Sequence, residues 1–306
     1  VYKDRIVEKE VIRTSFTSIP NKLVIVASMW GGAGSTTFST NLARAIANRG
    51  LKVSYIEFPL AKPYMFDYLL IPQKEEEKHM KYTDIIQEIK SKGVVRNKDN
   101  IWSEKGIDWF VTDTRREPIQ SFTYEEMLKL TYSVNSTITI VDISSNLHNP
   151  DIQQFLHHAD EIFVCVEPDI IKIDWLSEIR NSGKRTPLQR KEKLVIDFLN
   201  QIEETEGIKY QFINMKYTQA IDNKTWLQCL EKKPLVFFPA YDYETLIDCV
   251  WKSKFLYDDE TDELEKALKP AIVSILPREF YKIKNSVSKK EKLGKIIGRL
   301  KKGGNE

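Results

Sequence analysis

The chain has 306 residues, with 46 Lys and Arg against 44 Asp and Glu and a formal charge of +2. Hydrophobic residues make up 42% and charged residues 29%, which excludes collagen-like, low-complexity and disulfide-scaffold classes. No apolar run approaches the ~18–20 residues that would span a bilayer.

Residues 1–20 are charged and β-branched and end at Pro20. They read as a linker or lead-in strand. The chain starts at Val1 with no signal-peptide pattern, which suggests a piece of a longer protein with a domain upstream. The run 22–28 (KLVIVAS) predicts a strand, followed by a glycine-rich turn, a helix over 37–48 stopped near Gly50, and a second strand over 52–58. This is a βαβ unit, whose crossover should be right-handed in a parallel sheet. Residues 74–100 are heavily charged around a helical stretch at 82–90 and read as a surface excursion. A short strand is expected over 107–111. A helix follows over 123–132, with Thr123 as N-cap and Glu126 three residues on, as a capping box requires.

The run TITIVDI predicts a buried strand over 137–143, ending at Asp142. A helix over 151–158 and a buried strand over 161–166 (EIFVCV) come next. The pattern continues with an amphipathic helix over 187–205, strands over 210–214 and 235–238, and helices over 243–252 and 262–276, closed by Pro277. Strands that are near-continuous apolar runs, alternating with helices, indicate a doubly wound, mostly parallel α/β sheet covered on both faces. One domain over 21–277 is expected, preceded by the lead-in 1–20 and followed by a tail, 278–306. Cys165, Cys229 and Cys249 lack metal-ligand spacing and read as reduced core cysteines of a cytoplasmic protein. His157 and His158 are adjacent, so they point apart on a helix and are poorly placed to chelate.

Between the first strand and helix stands Met29-Trp30-Gly31-Gly32-Ala33-Gly34-Ser35-Thr36-Thr37. Successive N–H groups at a helix N-terminus bind phosphate, and the glycines permit positive φ and close approach. Thr36 is placed to ligate Mg²⁺, and Asp142 to hold that metal's water shell. The residues alone leave two alternatives open: a glycine-rich connection that binds nothing, and a strand-end or capping carboxylate at Asp142.

At this loop the chain resembles the MinD/ParA group of P-loop ATPases. Their deviant Walker A reads Lys-Gly-Gly-x-Gly-Lys-Thr-Thr, where this chain has Trp30-Gly31-Gly32-Ala33-Gly34-Ser35-Thr36-Thr37. Both lysines are absent. In that group the first crosses a dimer interface and the second neutralises the β- and γ-phosphates. Further segments resemble the group. Glu57 stands at the first acidic position of a switch segment, with Pro59 at the second. Val141-Asp142 matches Walker B, and His158–Asp169 the following strand and turn. Asn214 lies where the group reads adenine. Phe238-Pro239-Ala240-Tyr241-Asp242 resembles the segment that borders the base. Phe66–Leu69 and the strand over 107–111 look most like the TadZ/CpaE branch of pilus assembly proteins.

The resemblance implies ATP or ADP with Mg²⁺ on Gly31–Thr37, Asn214 and Pro239, with Thr36 and Asp142 at the metal. It names no catalytic residue. It implies a homodimer, protein partners of a membrane-associated assembly system, and slow or absent hydrolysis, since a lost phosphate lysine removes a charge-assisted contact. Lys62, just after the switch-like segment, is a lysine that could reach the phosphates, although a solvated surface position suits it better.

The net charge is segregated: residues 282–306 carry +7 and the rest −5. Leu293, Ile296, Ile297 and Leu300 form one helical stripe, flanked by basic residues including Lys295 and Arg299. Gly294 and Gly298 weaken that helix. An apolar stripe with a lysine-rich face reads as an interfacial helix for an anionic membrane, placing the protein on the inner face of the cytoplasmic membrane. A docked or solvated tail is the alternative. The scarcity of aromatics disfavours single-stranded nucleic acid. A second basic cluster (Lys184, Arg185, Arg190, Lys191, Lys193) is followed closely by acidic residues and reads as a solvated helix face.

The sequence therefore predicts a degenerate MinD/ParA-like nucleotide-binding protein serving localisation or assembly. An active ATPase with unorthodox phosphate ligands and a nucleotide-free scaffold are the other readings.

Overall fold

Apolar runs of the sequence become the parallel heart of a sheet. The computed structural model describes residues 21–95, 100–169, 171–172, 190–205, 207–230 and 232–282. The lead-in 1–20, Lys184, Arg185 and the tail residues Leu293, Lys295, Ile296, Ile297, Arg299 and Leu300 lie outside the described residues. The strands are β1 (Lys22–Ser28), β2 (Val53–Glu57), β3 (Trp102–Glu104), β4 (Ile107–Phe110), β5 (Ile138–Ser144), β6 (Glu161–Val166), β7 (Tyr210–Tyr217) and β8 (Val236–Pro239). Their spatial order is β3-β4-β2-β5-β1-β6-β7-β8. Every pairing is parallel except β3 with β4. Strands buried on both faces explain the unbroken apolar runs of β1, β5 and β6.

Helix α1 (Ser35–Ala47) lies across the sheet. Its buried Phe38, Leu42, Ala45 and Ile46 recur at helical spacing. Phe38 meets Phe163 of β6 and Phe238 of β8 edge-on, with ring centroids 5.7 and 6.3 Å apart. The far end of α1 is tied to the C-terminal part of the chain. Tyr257 N–H donates to Asn41 Oδ1 at 2.7 Å, and Arg49 pairs with Glu265 at 2.5 Å.

Several expectations need correction. Residues 74–100 are more than a surface excursion. Helix α2 (Met65–Tyr68) is followed by α3 (Ile71–Lys78) and α4 (Ile85–Lys92). Tyr82, Ile86 and Ile89 are buried, and the Tyr82 hydroxyl donates to the Val111 carbonyl at 2.6 Å. The charges occupy an outer face over an apolar inner one. Strand β5 runs two residues beyond Asp142, and β7 runs on to Tyr217. Helix α5 (Tyr124–Ser133) carries the expected capping box of Thr123 and Glu126. The helix expected over 151–158 is α6 (Pro150–Phe155) with a 3-10 turn, Leu156–His158. The 187–205 pattern gives α7 (Arg190–Thr205). Helix α8 (Asn223–Leu230) was not foreseen.

The chain ends its described part in α9 (Tyr243–Trp251), α10 (Leu256–Asp259), α11 (Thr261–Ile275) and α12 (Arg278–Lys282). Tyr281 of α12, beyond Pro277, stacks against the cations of Arg49 and Lys269. Cys165, Cys229 and Cys249 form no disulfide; Cys165 and Cys249 are buried in the core as expected, whereas Cys229 is half-buried.

Candidate functional site

The carboxyl ends of the parallel strands gather the described candidate residues of the loop, Asp142, Asn214 and Pro239, as doubly wound sheets do. The loop leaving β1 turns through Gly32 (φ 83°) and Gly34 (φ 100°) into α1. A side chain at Gly31 or Gly32 would meet nothing within 4 Å, so the backbone there faces open space. Gly34 is different, because a Cβ would lie 3.0 Å from Met215 Cε of β7. The loop is thus seated against β7. Helix α1 begins at Gly34 without a side-chain cap and without an acidic residue in its first turn. Its terminal N–H groups and dipole therefore favour an anion.

Thr36 and Asp142 meet directly, with Thr36 Oγ1 donating to Asp142 Oδ2 at 2.5 Å. The Tyr55 hydroxyl donates to the same oxygen at 3.1 Å, and Ser144 N–H to Oδ1 at 2.9 Å. Burial pushes the Asp142 carboxyl up, and these hydrogen bonds oppose it. Ser144 has a positive φ of 51°, so the strand turns sharply just past Asp142. Ser35 is buried, and its N–H donates to Ser28 Oγ at 3.3 Å.

Glu57 lies beside Asp142 in strand register. Its Oε1 accepts N–H groups from Tyr64 and Met65 at 2.9 and 3.0 Å, while Oε2 has no partner. Burial pushes its carboxyl up to about 7, against those two hydrogen bonds. A cavity of about 220 Å³ opens beside Thr36 and Thr37, walled by Tyr64, by Met65 of α2 and by Leu246 and Val250 of α9.

Asn214 is fully buried on β7, and neither its Oδ1 nor its Nδ2 has a hydrogen-bond partner. Such a group inside a folded protein calls for a ligand or a functional reason. Pro239 ends β8 opposite Tyr217, half-buried.

One cluster was not foreseen. Trp30 is buried, and its Nε1 donates to Glu167 Oε1 at 3.3 Å. Lys172 Nζ donates to that oxygen at 2.5 Å, and Lys216 Nζ donates to Oε2. Burial raises the Glu167 carboxyl, but the two lysines outweigh it and hold the group below its ordinary range. Lys62 is exposed on the turn before α2.

No protein-family model matches the chain, and no curated protein matches it significantly. Solved structures do. The MinC:MinD cell division complex of Aquifex aeolicus superposes with a TM-score of 0.56 at 17% identity, covering 83% of this chain and 93% of that one. A ParA family ATPase from Chlorobium tepidum gives 0.58 at 12%, covering 81% and 97%. A plasmid partition protein from Borrelia burgdorferi bound to AMPPNP gives 0.54 at 17%, covering 82% and 98%. The fold is that of the MinD/ParA ATPases.

On this MinD/ParA fold, the described residues hold no group of three or more His, Cys, Asp or Glu side chains that could bind a metal unaided. Thr36 with Asp142 is a hydroxyl–carboxylate pair, a donor set that suits Mg²⁺ only when phosphate and water oxygens complete its shell. His158 is used otherwise, with Nε2 2.6 Å from the Tyr124 hydroxyl.

Proposed function

We propose that the protein binds ATP or ADP with Mg²⁺ on Gly31–Thr37 and hydrolyses it slowly or not at all. The observation that carries binding is a fully buried Asn214 amide with both polar atoms unpaired, two strands from an uncapped, acid-free helix N-terminus. Asn214 and Pro239 would border the base, the loop amides would cradle phosphate, and Thr36 and Asp142 would hold the metal that accompanies it. Bound there, Mg²⁺ would offset phosphate charge.

Slow turnover rests on the two lysine positions of the MinD/ParA loop, which are Trp30 and Ser35 here. Phosphoryl transfer depends on positioned positive charge, and neither side chain supplies it. A buried Trp30 is also unsuited to reach a partner's nucleotide, so a homodimer would use other contacts.

The biological reading is a TadZ/CpaE-like localisation or assembly factor, held at the inner face of the membrane by its basic tail. It would work through association with partner proteins, not rapid turnover. A phosphate-release assay with Mg-ATP tests the enzymatic half. Turnover at ordinary P-loop rates that is lost in Asp142→Ala would replace this reading with an active ATPase.

A further inference from the structure

The loop's own lysines are absent, yet a lysine from another strand rests on its backbone. Lys216 Nζ donates to the Gly32 carbonyl at 3.1 Å as well as to Glu167. It arrives there through an irregularity of β7. The register with β8 shifts between Asn214 and Tyr217, and Lys216 itself has φ 55°. Left-handed backbone at a lysine is uncommon, and a bulge re-aims the side chain it displaces. The adjoining Met215 is the residue that packs against Gly34. One short segment of β7 therefore carries the buried amide, the packing against the loop and a cation at its mouth.

We infer that Lys216 supplies in cis the positive charge that the glycine-rich loop lacks, moving from the Gly32 carbonyl and Glu167 onto the polyphosphate of a bound nucleotide. This rests on the nucleotide-binding reading above. The Lys216 side chain is 56% exposed, so its movement leaves no buried charge behind. Glu167 is not orphaned, because Lys172 and Trp30 remain on its other oxygen. Lys172 is the weaker candidate. It is 18% exposed and is engaged by Glu167 and by Asp169 at 3.5 Å. Glu167 thus parks Lys216 at the loop and also opposes an incoming anion.

The test is equilibrium titration of Mg-ATP and of adenosine onto the full chain and onto Lys216→Met, Lys216→Arg and Glu167→Gln, with thermal melts as the control for folding. Losing a charge-assisted phosphate contact should weaken Mg-ATP about tenfold to hundredfold in Lys216→Met. Adenosine affinity should be unchanged, Lys216→Arg should retain most of the affinity, and Glu167→Gln should bind Mg-ATP more tightly. Equal or tighter Mg-ATP binding by a folded Lys216→Met would overturn the assignment, because the lysine would then be a plug or a bystander. If Lys216→Met does not fold, unaltered affinity in Glu167→Gln overturns it instead. If the parent protein binds adenosine but gains nothing from the phosphates, the assignment alone fails. If it binds neither ligand, the nucleotide-binding reading fails and takes the assignment with it.

Discussion

Glu57 shows how one side chain couples the sheet to the site. Its Oε1 holds the amides that start α2, while its other oxygen is buried beside Asp142 without a partner. A carboxyl pushed up to about 7 binds its proton more tightly in the folded state than in the unfolded chain. Its stabilising contribution is complete below the ordinary carboxylate range and is lost as pH rises through about 7. Glu57→Gln keeps an acceptor for Tyr64 and Met65 and removes the charge. It should flatten the pH dependence of stability between pH 5 and 8, by roughly 3 kcal/mol at most. Urea unfolding at the two pH values measures this; an unchanged difference between variant and parent would show that Glu57 titrates normally.

At the scale of elements, the helix N-termini differ in how their first amides are satisfied. Helix α5 has both halves of its capping box, whereas α1 has Gly34 at its N-cap and no side-chain cap from it. Thr123→Ala should cost about 1 kcal/mol of stability and leave nucleotide affinity untouched. Paired denaturation and binding curves check both halves of that expectation. The cap at Thr123 was legible because its partner Glu126 is three residues away. Asp142 was legible for a similar reason, since an unbroken apolar run points at it. Asn214 could be placed from its strand, but its unpaired amide could not, because that depends on neighbouring strands.

Lys216 was not legible at all. Two residues past Asn214 it looks like any lysine leaving a strand, and only the shifted pairing of β7 with β8 turns it toward Gly32. The same physics hid α3 and the buried inner face of α4, whose helix was expected. Their outer faces dominate the charge of residues 74–100, and a few buried residues such as Tyr82 and Ile86 do the anchoring. Trp30 was read as a lost lysine, which says what is missing but not that its indole would join Glu167 in the core.

For the whole molecule, charge segregation is the governing feature. A body of −5 joined to a C-terminal segment of +7 is a different object from a neutral protein. No helix among the described residues is long and apolar enough to cross a membrane. Under the proposed function, attachment depends on residues 283–306. The 306-residue chain should sediment with anionic vesicles at low salt and be released as salt rises, while a chain ending at Lys282 should stay in the supernatant. Equal sedimentation of the two would move the attachment site to the body.

The central claim is a nucleotide site that binds without rapid turnover. Its most direct test is to incubate the protein with Mg-ATP labelled separately on the base and on the γ-phosphate, and to count both labels on the protein with time. The account predicts saturable retention of both in equal amounts, with the γ-label lost slowly or not at all. Retention of neither label would contradict the site. Rapid release of γ-label with continuing turnover would contradict its quiescence.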